Sequence, residues 1–288
     1  MTAGSIVDGL VDLLLPRRCV ACGVSGAWLC AACEAGLHPV PARRCPRCGA
    51  PGPWSAPAAG AARNVPDHAA PPFARGPVRD AEPPRRLALR TGGRRCPECG
   101  GRDLAFVSAS AAFTYEGPAR ALVTACKFRS LRSLTADMVS RAAPAFAEAA
   151  QDAFVTWVPG HRDHQLERGF NQAERLARGF ARTAGLPYAP LLRRTRHGAR
   201  QSGLSRDARA ANVKGAFALL EGTKGVERKL KRVVVVDDVY TTGETLDQCA
   251  QALAQAGLEP HVFTFARTVR ATPSQASLDH AVQKERCP

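Results

Sequence analysis

Eight of the eleven cysteines fall in four Cys-x-x-Cys pairs, Cys19/Cys22, Cys30/Cys33, Cys45/Cys48 and Cys96/Cys99. Two sulfurs three residues apart can converge on one tetrahedral ion, so any two pairs can complete a four-thiolate zinc site. Glycine follows the second cysteine in three pairs, as Gly23, Gly49 and Gly100, and permits the tight turn that aims amides at thiolates. The remaining pair, Cys30-Ala31-Ala32-Cys33, runs into Glu34-Ala35-Gly36-Leu37 and reads as a first helical turn. One compact site is therefore expected from Cys19, Cys22, Cys30 and Cys33. A second would join Cys45-Pro46-Arg47-Cys48-Gly49 to Cys96-Pro97-Glu98-Cys99-Gly100, knuckles of zinc-ribbon type separated by 47 residues. Structural zinc, one ion or two, is the expected cofactor. Disulfides and dithiol redox pairs are the competing readings, disfavoured without a secretion signal. Cys126, Cys249 and Cys287 read as ordinary buried or tail thiols.

A second chemistry lies in Val233-Val234-Val235-Val236-Asp237-Asp238-Val239-Tyr240-Thr241-Thr242-Gly243-Glu244-Thr245. An apolar strand feeds two acids, then a hydroxyl-rich turn with one glycine, then a helix. Backbone amides and the hydroxyls of Thr241, Thr242 and Thr245 around Gly243, at a positive helix N-terminus, form a trap for a phosphate monoester. Asp237 and Asp238 at the strand end can accept hydrogen bonds from paired sugar hydroxyls. No Gly-Lys-Ser/Thr follows, and the three glycines of a dinucleotide turn are missing. The bland alternative is an N-capped helix in an ordinary βα turn.

The elements that must position these residues are legible after the cysteine region, where short apolar runs alternate with amphipathic stretches in the pattern of a parallel α/β sheet. Strands are expected at 105–113, 154–158, 233–236 and 261–265, and helices at 118–128, 131–150, 171–184 and 244–256. The first residues, with Ile6, Val7, Leu10, Val11, Leu13, Leu14 and Leu15 interrupted by Asp8 and Asp12, read as an amphipathic helix rather than a signal peptide. No apolar run is long enough to cross a bilayer, so no membrane span and a cytoplasmic location are expected. The net charge is +15. From 161 to 232 seventeen basic residues face six acidic ones, a net +11, which calls for anionic partners, although an arginine-favouring coding bias would raise the charge as well. Few aromatic residues lie among these arginines along the chain, which argues against a base-stacking groove.

The Asp237 to Thr245 segment resembles the phosphoribosyl pyrophosphate (PRPP) loop of type I phosphoribosyltransferases. Further motifs are similar to the ComF family: Leu15 to Cys22, Tyr115-Glu116-Gly117-Pro118, Leu122 with Lys127-Phe128-Arg129, Glu167-Arg168-Gly169-Phe170-Asn171-Gln172-Ala173, and Gln201-Ser202-Gly203-Leu204-Ser205-Arg206 with Arg209, Asn212 and Gly215-Ala216-Phe217. The resemblance implies a type I phosphoribosyltransferase-like parallel sheet flanked by helices, preceded by a small cysteine-rich zinc-binding module. It implies a pyrophosphate loop at Val158-Pro159-Gly160-His161-Arg162 and a mobile loop at 195–215. The expected organisation is an N-terminal helix and zinc module (1–49), a disordered Pro/Ala/Arg-rich insertion (50–95), the last cysteine pair (96–104), the phosphoribosyltransferase-like domain (105–270) and a flexible tail (271–288). On this reading Thr241, Thr242, Gly243 and Thr245 hold the 5′-phosphate of PRPP and Asp237 and Asp238 its ribose hydroxyls. Mg²⁺ and Arg162 stabilise the leaving pyrophosphate, with Asp237, Asp238 and Arg162 as the catalytic set. His161 and His164 receive no role. The family resemblance also implies single-stranded DNA and a DNA-uptake machinery as partners in natural transformation. A phosphoribosyl (glycosyl) transferase with an unidentified acceptor, a non-catalytic DNA-handling protein and a PRPP sensor all remain compatible with these residues.

Overall fold

The computed structural model describes residues 17–52, 96–100, 102–128, 133–160, 170–195, 215–221 and 231–269. The N-terminal amphipathic helix, nearly all of the insertion expected at 50–95, the tail, residues 196–214 and His161, Arg162 and His164 lie outside them. In chain order the elements are α1 (Ala31–Glu34), β1 (Ser108–Thr114), α2 (Gly117–Phe128), α3 (Leu134–Ala149), β2 (Phe154–Trp157), α4 (Gln172–Ala184), β3 (Leu192–Arg194), β4 (Phe217–Leu219), β5 (Arg232–Tyr240), α5 (Glu244–Gln255) and β6 (Glu259–Arg267).

The central sheet has the order β1-β6-β5-β2 and all its pairings are parallel. Parallel sheets are covered on both faces, which is why Val233 to Val236 form an unbroken apolar run and are at most 1% exposed. Residues 187–189 extend the sheet beyond β2: the Val155 amide donates to the Pro187 carbonyl (2.9 Å) and the Ala189 amide to the Val155 carbonyl (3.2 Å). The chain crosses the sheet one way from β1 through β2 to this edge, and back from β5 to β6. Right-handed crossovers then put α3 and α4 on one face and α5 on the other. On the first face Phe146 of α3 stacks on Phe180 of α4 at 4.8 Å, and Phe263 of β6 meets both edge-on at 5.1 and 5.3 Å. The free edge of β1 is covered by residues 38–40, through Val40 N–H to the Ala112 carbonyl (3.0 Å) and Thr114 N–H to the His38 carbonyl (2.9 Å).

The observed parallel sheet with flanking helices is the architecture expected from the alternating pattern. Its strands correct the sequence boundaries. β5 does not stop at 236 but runs on through both acids to Tyr240, because β6 also runs further, to Arg267, and pairs with it residue for residue (Asp237 with Thr264, Val239 with Ala266, Tyr240 with Arg267). The strand expected at 105–113 begins only at Ser108. The antiparallel pair β3–β4 was not foreseen, its strands being three residues each. It clasps the base of the loop expected to be mobile: Thr195 N–H donates to the Ala216 carbonyl and the Thr195 hydroxyl to the Gly215 carbonyl, both at 2.8 Å.

Candidate phosphate site and cysteine clusters

Because β5 continues as a strand through the acids, its pleat decides where they point. Val236 lies beside Phe263, which packs on α3 and α4. Asp238, two residues on, shares that face, and Asp237 takes the opposite one. The α2 side supplies the partner: Lys127 Nζ lies 2.8 Å from Asp238 Oδ2 and 3.0 Å from Oδ1. Burial works against the Lys127 charge, but Asp238, with Asp237 behind it, outweighs that and raises the ammonium pKa. Asp237 accepts the Asp238 amide at 2.9 Å. Burial of its carboxyl, then the adjacent Asp238 charge, push its pKa up to about 7. Arg194 of β3 and Cys249 of α5 are its other electrostatic neighbours; burial lowers the Arg194 pKa and raises that of Cys249. Two sequence-adjacent acids thus have separate environments, one ion-paired and one poised to hold a proton near neutrality.

The turn that follows is held from several sides. Gly243 has φ +81° and precedes the first residue of α5. A Cβ there would strike the Tyr240 hydroxyl and come within 2.6 Å of its ring carbon Cζ, so only glycine lets the chain turn this close to the tyrosine. Thr241 is exposed, and Thr242 and Thr245 are half-buried. The Thr242 carbonyl accepts from Arg102 Nη1 at 2.6 Å, and Arg102 Nη2 lies 3.4 Å from Glu244. Thr268, just past β6, donates to the Thr241 carbonyl (3.3 Å). The amides of the first turn of α5 then point toward the sheet's C-terminal edge, where ligands of open parallel sheets collect.

Asn171 of the Phe170-Asn171-Gln172-Ala173 motif does two jobs on the neighbouring strand. Its side-chain oxygen caps α4 by accepting the Ala173 amide at 3.1 Å, and its Nδ2 donates to the Val158 carbonyl at 3.1 Å. The motif therefore fixes the chain leaving β2 just ahead of the segment expected to meet pyrophosphate.

The eight paired cysteines assemble as two clusters, Cys19/Cys22/Cys30/Cys33 and Cys45/Cys48/Cys96/Cys99, each with its four sulfurs within 4.8 Å of one another. The Sγ separations are 3.6 Å for Cys22–Cys30 and Cys45–Cys99 and 3.7 Å for Cys48–Cys96. A disulfide would need about 2.05 Å, whereas a zinc tetrahedron with bonds of about 2.3 Å has edges of about 3.8 Å. The donor set fits zinc, and all ten described cysteines are free. Each Gly amide closes its knuckle on the first cysteine's carbonyl: Gly23 to Cys19 (2.8 Å), Gly49 to Cys45 (2.9 Å) and Gly100 to Cys96 (2.5 Å). Cys30 immediately precedes α1, the helical turn expected there. Burial opposes ionisation of Cys19, but the amides of Cys30, Cys22 and Ala21 bring its thiol down to about 6. Thiol neighbours likewise lower Cys45, while Cys33, through burial, and Cys48 and Cys99, through neighbouring thiols, are pushed up. Crowded sulfurs of this kind need a cation before all four can be thiolates.

Sequence reasoning gave no role to Lys127, Arg194, Tyr240, Arg102 or Arg267. Lys127 and Tyr240 had a signal, their places in the Lys127-Phe128-Arg129 motif and in the 233–245 segment; the others are brought in by pairing and packing alone.

The architecture is that of a parallel sheet flanked by helices with a cysteine-rich module of zinc-ribbon type. The double zinc ribbon domain family matches residues 10–64. The chain is 37% identical to competence protein F of Haemophilus influenzae over 103 residues, 35% of this chain and 44% of that protein. It is 29% identical to competence protein ComFC of Streptococcus pneumoniae over 200 residues, 61% of this chain and 81% of that one. The first match spans less than half of its relative's length. Among solved structures, the glutamine PRPP amidotransferase of B. subtilis, complexed with ADP and GMP, is 26% identical over 45% of this chain and 26% of its own, with a TM-score of 0.30. The two competence relatives and the zinc ribbon match bear out the ComF-family resemblance carried by the sequence motifs. Among the described residues no helix is long and apolar enough to cross a membrane.

Proposed function

We propose that this chain binds PRPP with Mg²⁺ at the C-terminal edge of its sheet and works in the cytoplasm in the handling of incoming DNA; two of its relatives are named as competence proteins. The observation that carries the PRPP reading is the pair of acids on β5, one neutralised by Lys127, leading directly into a glycine-locked turn at the N-terminus of α5. In this reading Thr241, Thr242, Gly243 and Thr245 take the 5′-phosphate and the acids take the ribose hydroxyls. Lys127 orients Asp238 and keeps its charge from repelling the ligand. Asp237, with its pKa near 7, can exchange a proton at physiological pH. Arg162 takes the pyrophosphate. Mg²⁺, when bound with PRPP, spreads the charge of the leaving pyrophosphate.

Calorimetric titration with PRPP and Mg²⁺ tests the reading. The double variant Asp237→Asn/Asp238→Asn should lose at least tenfold in affinity while keeping its fold. Equal affinity in the double variant, or no binding by the wild type, overturns it.

A second reading, contact with single-stranded DNA, is favoured by one surface. Arg175 lies over Phe170 at 5.3 Å, Arg178 over Trp157 and Tyr188 at 5.5 and 5.8 Å, and Arg182 over Tyr188 at 6.0 Å. Phe170 and Tyr188, two half-buried aromatics of the basic stretch, thus lie beside its arginines, with the buried Trp157 beneath Arg178. Arg178→Ala/Arg182→Ala should weaken oligonucleotide binding and lower its salt slope by about one per lost phosphate contact. An unchanged slope removes this surface from consideration.

A further inference from the structure

Arg267 is the last residue of β6 and is 1% exposed, among the most deeply buried large side chains of the molecule. A guanidinium so placed must be paired, since an isolated buried charge is costly. Its Nη2 lies 2.7 Å from Glu98 Oε2, and its Nη1 donates to the Cys48 carbonyl at 2.5 Å. Both partners belong to the second cysteine cluster, one from each knuckle. The guanidinium carbon also sits 4.9 Å from the centroid of the Tyr240 ring. That ring is the surface against which Gly243 turns. The contact is backed by the knuckle itself: the Ala109 amide of β1 donates to the Arg47 carbonyl at 2.7 Å, and a Cβ on Gly49 would strike the Ala109 carbonyl and stand 3.1 Å from Arg267 Nη1. A parallel route runs from Arg102, just past the last cysteine pair, to the Thr242 carbonyl and Glu244.

We infer that Arg267 is a positioning residue through which the metal-binding state of Cys45, Cys48, Cys96 and Cys99 sets the shape of the phosphate turn at 240–244. The chain of contacts is short and each link is directional. Metal on the four thiolates fixes both knuckles, and so fixes the Cys48 carbonyl and the Glu98 carboxylate relative to each other. Those two groups orient the guanidinium, the guanidinium orients the Tyr240 ring, and the ring seats Gly243. When the metal leaves, the two knuckles part and the guanidinium loses its fork. The turn then loses the wall that aims its amides. The first cysteine cluster makes no such contact with the turn among the described residues. The inference gives the ligand consequence only through the PRPP reading above, so its test needs a readout independent of PRPP.

Amide hydrogen exchange on the full chain supplies it, with zinc content measured on the same samples. In zinc-loaded wild type, peptides covering 240–246 should be protected. Removing zinc with a chelator, or replacing Arg267→Met, should speed exchange there by at least tenfold while peptides over 233–236 stay protected. Arg267→Lys separates charge from geometry: a single ammonium can satisfy Glu98 but cannot also reach the Cys48 carbonyl while lying across Tyr240. It should retain zinc and global stability yet leave 240–246 fast. Should Arg267→Met fail to fold, Arg267→Lys and Arg102→Met carry the same comparison, the latter with a smaller rise. Unchanged protection of 240–246 in Arg267→Lys and after zinc loss overturns the coupling. Calorimetry with PRPP and Mg²⁺ forms the second arm. Loss of protection without any PRPP binding by the wild type would sink the PRPP reading and leave the coupling standing.

Discussion

The two cysteine clusters share one ligand set and differ in what surrounds them. In the first, Cys19 is buried and the other three are half-buried, and an exposed ion pair ties the cluster to the rest of the fold, Arg141 of α3 reaching Glu34 at 3.0 Å. In the second, Cys45, Cys48 and Cys96 are buried, and the knuckles press on β1 and hold Arg267. Identical coordination chemistry therefore does two different things: the first cluster closes a small local fold, and the second is built into the core of the sheet beside the candidate phosphate turn. Ligand identity fixes which metal can bind, whereas the contacts behind the ligands fix what the metal controls.

The largest effect should separate the clusters directly. Cys48→Ser is expected to lower the main thermal transition by about 10 °C, whereas Cys30→Ser should leave it nearly in place and free only the N-terminal segment to proteolysis. Equal shifts would remove the distinction. A finer contrast uses the two knuckle glycines with positive φ, Gly23 (+84°) and Gly49 (+70°). Nothing lies within 4 Å of a Cβ on Gly23, while one on Gly49 meets the β1 backbone. Gly23→Ala should cost about 1 to 2 kcal/mol of backbone strain, and Gly49→Ala about 2 to 5 kcal/mol with overpacking added, as read by denaturant unfolding.

The region beyond the second cluster should also carry a pH dependence of its own, set by a carboxyl rather than by thiols. Asp237 has its carboxyl raised from 3.8 to about 7, so between those values the folded chain keeps a proton that the unfolded chain has released. Stability must fall as pH rises through that window. His261, lowered from 6.5 to about 4 by burial, pulls the other way between pH 4 and 6.5. Asp237→Asn isolates the carboxyl. Its stability advantage over wild type should grow by about 2 to 4 kcal/mol from pH 4 to pH 8, and a flat difference would show that the carboxyl is not held in the way described. The smallest effect belongs to the outer link of the first cluster: Arg141→Met should cost under about 1 kcal/mol, because Glu34 is 49% exposed and such pairs are screened.

Local features were the legible ones. The Cys-x-x-Cys spacing, the helical turn at Cys30, the apolar run of β5 and the glycine before α5 are each decided within a few residues, where bond geometry and the preferences of single residues dominate. Strand ends were misread for the opposite reason. Asp237 and Asp238 look like a stop to an apolar run, but β6 offers them backbone partners as far as Arg267, and pairing outweighs composition. The short strands β3 and β4 have too few residues to show a period at all.

By itself the sequence determined that four Cys-x-x-Cys pairs would form metal-ligating knuckles and that an acidic strand segment would turn into a helix through one glycine. Each of those outcomes depends on residues near one another in the chain. Only the tertiary structure decided that the acids face opposite sides of the sheet, that Lys127 from a helix 111 positions earlier neutralises one of them, and that Arg267 joins Cys48 to Tyr240 across 219 residues. Such contacts follow from strand order and crossover handedness, which bring distant segments to the same edge. No spacing along the chain encodes them.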